Sequence, residues 1–133
     1  MKHVASCLGI ITVTTTMLFA RPGHAFSGDG NMLLDHCGHA VRYAQGDREN
    51  VDLLRLTACR NYVEGMYELN ELYGLRLQGR GMYPMFCPPE QGLATERAVR
   101  IVHDYLESHP EMLDHPMSDL VATSLASAFP CTR

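Results

Sequence analysis

The sequence predicts an all-α fold: a small bundle of four main helices arranged as two antiparallel hairpins, cross-linked by two disulfides. Three observations predict it. Apolar residues recur at helical offsets in four separate stretches, and no stretch alternates with period two over a useful length. Segments containing glycine and proline separate those stretches. Four cysteines, Cys37, Cys59, Cys87 and Cys131, remain once the N-terminal leader is set aside. An even number of cysteines in a small secreted domain reads as a disulfide framework.

Residues 1–25 read as a secretory signal peptide. Met1-Lys2-His3 is a short basic start, Val4 to Ala20 is apolar and uncharged, and Gly23-His24-Ala25 offers small residues before a cleavage point. The apolar run is short and threonine-rich for a membrane span. Cys7 leaves with the leader. Residues 26–133 then form one domain, with a core large enough to be modest. In it nine arginines face fifteen carboxylates, a net charge of −6, against −4 for the whole chain. A negative surface argues against nucleic acid and against anionic membrane.

The first helix follows Phe26–Gly30, with Asn31 as the expected cap. Leu33, Leu34, Cys37, Ala40, Val41 and Ala44 share one face, and Gly46-Asp47 ends it. The second helix is expected from about Val51 to Tyr73, capped by Asp47 or Asn50. Its stripe is Leu53, Leu56, Cys59, Tyr62 or Val63, Met66, Leu69 and Tyr73, and Gly74 would end it. Gly65 in its middle suggests close packing against another helix, since glycine costs up to about 1 kcal/mol relative to alanine there. Gly74 to Met82 reads as an exposed basic loop, with Arg76, Gln78 and Arg80 as candidate partner contacts. A proline joint, Tyr83 to Glu90, follows.

Thr95 is expected to cap the third helix, whose stripe is Ala98, Val99, Val102, Tyr105 and Leu106. It stops before Pro110. Pro116 suits the first position of the fourth helix, which carries Leu120, Val121, Ser124, Leu125 and Ala128 to Phe129-Pro130-Cys131.

Geometry selects one cysteine connectivity. A short turn makes the first two helices antiparallel, so Cys37 and Cys59, at similar distances from it, come to similar heights. Cys87 precedes the third helix and Cys131 follows the fourth, at coincident ends of the second hairpin. The expected pairs are Cys37–Cys59 and Cys87–Cys131. The Cys87 pair staples the joint shut, with Phe86 and Phe129 burying beside it.

No catalytic constellation emerges. There is no G-x-S-x-G, no H-E-x-x-H and no C-x-x-C. His36 and His39 are three apart on a helix and offer a metal pair without matching partners. An oxidised Cys37 is no nucleophile. His103, Asp104 and Glu107 read as a solvated helix face. The expectation is a protein that is not an enzyme and has no cofactor or metal.

Several motifs occur in a fixed order: Gly30-Asn31 with Leu33-Leu34 and then a cysteine, Cys59-Arg60-Asn61-Tyr62-Val63-Glu64-Gly65, Phe86-Cys87-Pro88-Pro89, Tyr105-Leu106-Glu107-Ser108-His109-Pro110-Glu111, and Phe129-Pro130-Cys131. In this order and spacing the chain resembles the Rap/Tai family, the immunity proteins of type VI secretion amidase effectors, from Gly30 to Cys131. The resemblance implies a small helical bacterial protein of the periplasm, often a homodimer. Such a protein binds a peptidoglycan amidase effector and occludes its active-site cleft. The motif residues are scaffold, so the resemblance assigns no contact residue. The alternative reading from another class is a small helical periplasmic chaperone or stress-response protein, whose five histidines and many carboxylates would form an acid switch.

Overall fold

The computed structural model describes residues 28–77 and 84–131. They form α1 (Gly30–Ala44), α2 (Leu53–Leu77), α3 (Thr95–Ser108) and α4 (Met117–Ala128), with a 3-10 turn at Pro110–Met112. The predicted leader, and Gln78 and Arg80 of the predicted contact loop, lie outside the described residues. Among the described residues there is no strand, and no helix is long and apolar enough to cross a membrane.

Helix α1 is capped by Asp29, not by Asn31. The Asp29 carboxylate accepts the Met32 N–H at 3.0 Å, while the Asn31 amide donates to the Leu113 carbonyl at 3.3 Å. The cause is a clasp that sets the start of the helix. Gly30 N–H donates to His115 O at 3.1 Å and Met117 N–H donates to Gly28 O at 3.0 Å. A Cβ on Gly30 would lie 2.8 Å from Leu113 Cα, so only glycine allows this approach. The chain ahead of α1 is thereby fastened to the connection between α3 and α4. At the other end of α1, Gly46 takes φ 100°, the left-handed turn the sequence suggests.

Asp52 caps α2, accepting the N–H groups of Leu54 at 2.9 Å and Arg55 at 3.2 Å. Asp47 instead holds the preceding turn, accepting from Glu49 at 3.0 Å and Asn50 at 3.1 Å. Both carboxyls sit below their ordinary 3.8. The main cause is the Asn50 N–H for Asp47 and the Arg55 N–H for Asp52.

The end of α2 differs from expectation. It runs through Gly74 to Leu77. A glycine stops a helix by turning left-handed, and among the described glycines only Gly46 and Gly92 do so. Gly74 stays helical, with the Pro84 ring against it; a Cβ there would be 3.6 Å from Pro84 Cβ. The predicted stripe also drifts. Steps of three fall about 60° short of a full turn each time. Leu53, Leu69 and Tyr73 therefore lie exposed, while Leu56, Cys59, Val63 and Asn70, spaced by three, four and seven, are buried. Among the described residues Gly65 packs against nothing: a Cβ there meets no atom within 4 Å.

Helix α3 begins at Thr95, with Ala94 at the cap position and no side-chain cap. As the first helical residue, Thr95 is not placed as a cap. Ala98, Val99, Val102 and Leu106 are buried, and Tyr105 is half-buried and stacked on His109. α3 ends at Ser108, ahead of Pro110. Pro116 stands one residue before α4, which buries Leu120, Val121, Ser124 and Leu125 and leaves Ala128 exposed.

Both predicted disulfides are present, Cys37–Cys59 and Cys87–Cys131. The first joins α1 to α2 inside the core. The second closes the α3–α4 hairpin at its open end, and beside it Cys87 N–H donates to Phe129 O at 2.9 Å. Phe86 is fully buried with its ring 6.3 Å from that of Tyr67, whereas Phe129 packs at the core's edge beneath Arg97.

Candidate functional site

Apolar residues that the core does not need mark the most distinctive surface. Along the last turns of α2, Leu69, Leu72, Tyr73 and Leu75 are exposed by 41%, 48%, 50% and 70%, and Met85 on the joint by 42%. Scattered apolar side chains are ordinary on a protein surface; a run of them on one element marks a contact site. Leu69, Leu72, Tyr73 and Arg76 line a shallow cavity of about 250 Å³. On the neighbouring side, Tyr67, Gly74, Leu75, Pro84 and Pro89 line a cleft of about 370 Å³ between α2 and the joint.

The run is exposed because α2 outlasts its partners. Among the described residues its buried face ends at Asn70, and the turns beyond it carry leucine and tyrosine without a covering helix. Arg76, the described member of the predicted contact loop, stands exposed in the last turn of α2. Arginine and tyrosine are enriched at the energetic centres of protein interfaces, and Arg76 and Tyr73 stand here among exposed leucines.

Asn70 fastens this surface to the core, and the sequence reading missed it. It is 1% exposed. Its amide nitrogen donates to Phe86 O at 2.9 Å, and its amide oxygen accepts Phe86 N–H at 3.2 Å. One side chain thus satisfies both backbone groups of a buried residue in the joint. The signal was present: Val63, Met66 or Tyr67, and Asn70 keep the spacing of three and four, which puts an asparagine on the apolar face.

Of the two histidines weighed as a metal pair, His39 is engaged in the fold. His39 Nδ1 accepts the Asp52 N–H at 3.0 Å, so His39 helps seat the start of α2. His103 is not part of a solvated face. Its side chain is 13% exposed, and it packs over Gly38 of α1. Asp104 and Glu107 beside it are exposed, with carboxylates 3.7 and 3.5 Å from His103 Nδ1. Two exposed carboxylates and one histidine on adjacent turns are ordinary for an acidic helix face.

The family described as Rap1a immunity proteins matches residues 29–131. No curated protein and no solved structure matches the chain.

Proposed function

The chain belongs to the Rap1a immunity protein family, and from that membership we propose a periplasmic protein that binds and sterically inhibits a type VI-delivered peptidoglycan amidase effector. The family match over nearly all of the domain carries the reading. The architecture supports it. An inhibitor by occlusion needs a rigid body and a presented surface, and needs no catalytic group of its own. Two disulfides supply the rigidity, and the end of α2 supplies the surface. Disulfides and a leader-like start fit an oxidising compartment such as the periplasm. The protein acts as a homodimer in this proposal, each copy presenting one such surface.

The test uses the chain from residue 26 onward as bait in a periplasmic pull-down, followed by a peptidoglycan cleavage assay with the captured hydrolase. Stoichiometric inhibition without turnover of the inhibitor is expected. Arg76→Ala and Leu72→Asp should each weaken inhibition about tenfold or more, as substitutions of central interface residues do, with Tm unchanged. Capture of no amidase, or full amidase activity with the inhibitor in excess, overturns the proposal. Light scattering at the mass of a single copy removes the dimer from it.

A further inference from the structure

A second cleft lies on another face of the molecule, between α1, α2 and α3, with a volume of about 310 Å³. That is at the lower edge of the range for small-ligand sites, about 300–1,000 Å³. Ala40, Val41, Leu56 and Val99 give it an apolar lining. Its charged residues are Arg48, Arg60, Arg100 and Glu96. Three guanidiniums against one carboxylate make this a basic spot on a chain whose net charge is −4.

The three arginines are differently engaged. Arg60 is paired with Glu96 at 2.8 Å, which accounts for the single acid. Arg48 is held in place, its guanidinium 3.6 Å from the Tyr43 ring centroid and one of its nitrogens donating to the Tyr43 carbonyl. That uses one of five N–H donors, so a fixed cation with spare donors stands at the cleft. Arg100 has no ion-pair or hydrogen-bond partner among the described residues. Donors held in advance lower the ordering cost of binding, and guanidinium–carboxylate bonds are among the stronger ones.

We infer that this cleft is a binding site for a carboxylate carried on a short apolar body, with Arg48 and Arg100 holding the carboxylate and the Ala40–Val99 lining taking the apolar part. The site is independent of the immunity reading, since it sits away from the end of α2 and its test needs no effector. The same chemistry could be offered by a free small acid or by an acidic side chain on a peptide.

The chain from residue 26 onward, labelled for amide NMR, is titrated with hexanoate, with the blocked dipeptide acetyl-leucyl-glutamic acid amide, and with neutral hexanamide. Saturable shifts confined to residues such as Ala40, Val41, Leu56 and Val99 are expected, at a Kd on the order of 1–10 mM for so small a ligand. Either acid saturating the site supports the inference, and the one that saturates at lower concentration identifies the source as free or peptide-borne. Arg100→Glu, a change at an exposed position, should weaken binding about tenfold or more through loss of a charge-assisted contact. Absence of saturable shifts with both acids, an equal response to hexanamide, or undiminished binding by Arg100→Glu overturns it.

Discussion

Asn70 and Gly65 stand on the same helix within two turns of each other, and their substitution should move stability in opposite directions. Asn70→Ala removes both partners of the Phe86 backbone, which is fully buried. Leaving buried donors and acceptors unpaired costs about 1–3 kcal/mol each, so a loss of about 3 kcal/mol or more is expected. Gly65→Ala adds a methyl where nothing lies within 4 Å. It should stabilise the helix by about 0.5–1 kcal/mol through lower backbone entropy in the unfolded chain. Urea unfolding of both variants checks the pair. A Gly65→Ala variant less stable than the parent would mean that α2 meets another surface at that point. An unaffected Asn70→Ala would mean that water replaces the amide at Phe86.

At the level of elements, helix existence, disulfide pairing, the turn at Gly46 and the stop before Pro110 were legible in the sequence, and the helix starts and the end of α2 were not. Periodicity reports which residues share a face, so Cys37 and Cys59 could be placed inward and at one height. An end depends on contacts with the rest of the fold. Asp29 is the cap because Gly28 and Gly30 are fastened to residues nearly 90 positions later, as in Gly30 N–H to His115 O. Gly74 stays helical, with Pro84 packed against it, and α2 runs on to Leu77. The same extra turn moved Arg76 from a predicted loop onto a helix and exposed Leu75 beside it. The two bonds also differ in a way that spacing alone could not reveal. Cys37 and Cys59 are buried, while Cys87 is exposed and Cys131 half-buried. Thiol attack needs access to sulfur, so mild reductant should open Cys87–Cys131 first. With a sequence separation of 44 between its cysteines against 22 for the inner bond, its loss should cost about 4 kcal/mol in the loop-entropy picture. Trapping free thiols with a mass label at increasing reductant concentration reads the order directly. Labelling of Cys37 and Cys59 at the lowest concentration would contradict the burial seen here.

For the molecule as a whole, charge and shape would divide the work of the proposed recognition. Fifteen carboxylates against eleven basic residues give the chain a net charge of −4, and −6 without the first 25 residues. Such a surface acts at long range on a basic partner. In the proposed inhibition, the apolar end of α2 would act only on contact, through desolvation of Leu72 and Tyr73. These two contributions respond differently to salt. The Debye length falls from about 30 Å at 0.01 M to about 8 Å at 0.15 M ionic strength. Steering is screened over that range while short-range apolar contact is not. For a basic amidase, the association rate should therefore fall about tenfold or more between those conditions. The dissociation rate should stay nearly constant. Arg76→Ala and Leu72→Asp should show the complementary pattern, faster dissociation at either salt concentration. Stopped-flow association and surface-plasmon dissociation separate the two. An association rate indifferent to salt would assign the acidic surface to solubility and leave recognition to the apolar end of α2 alone.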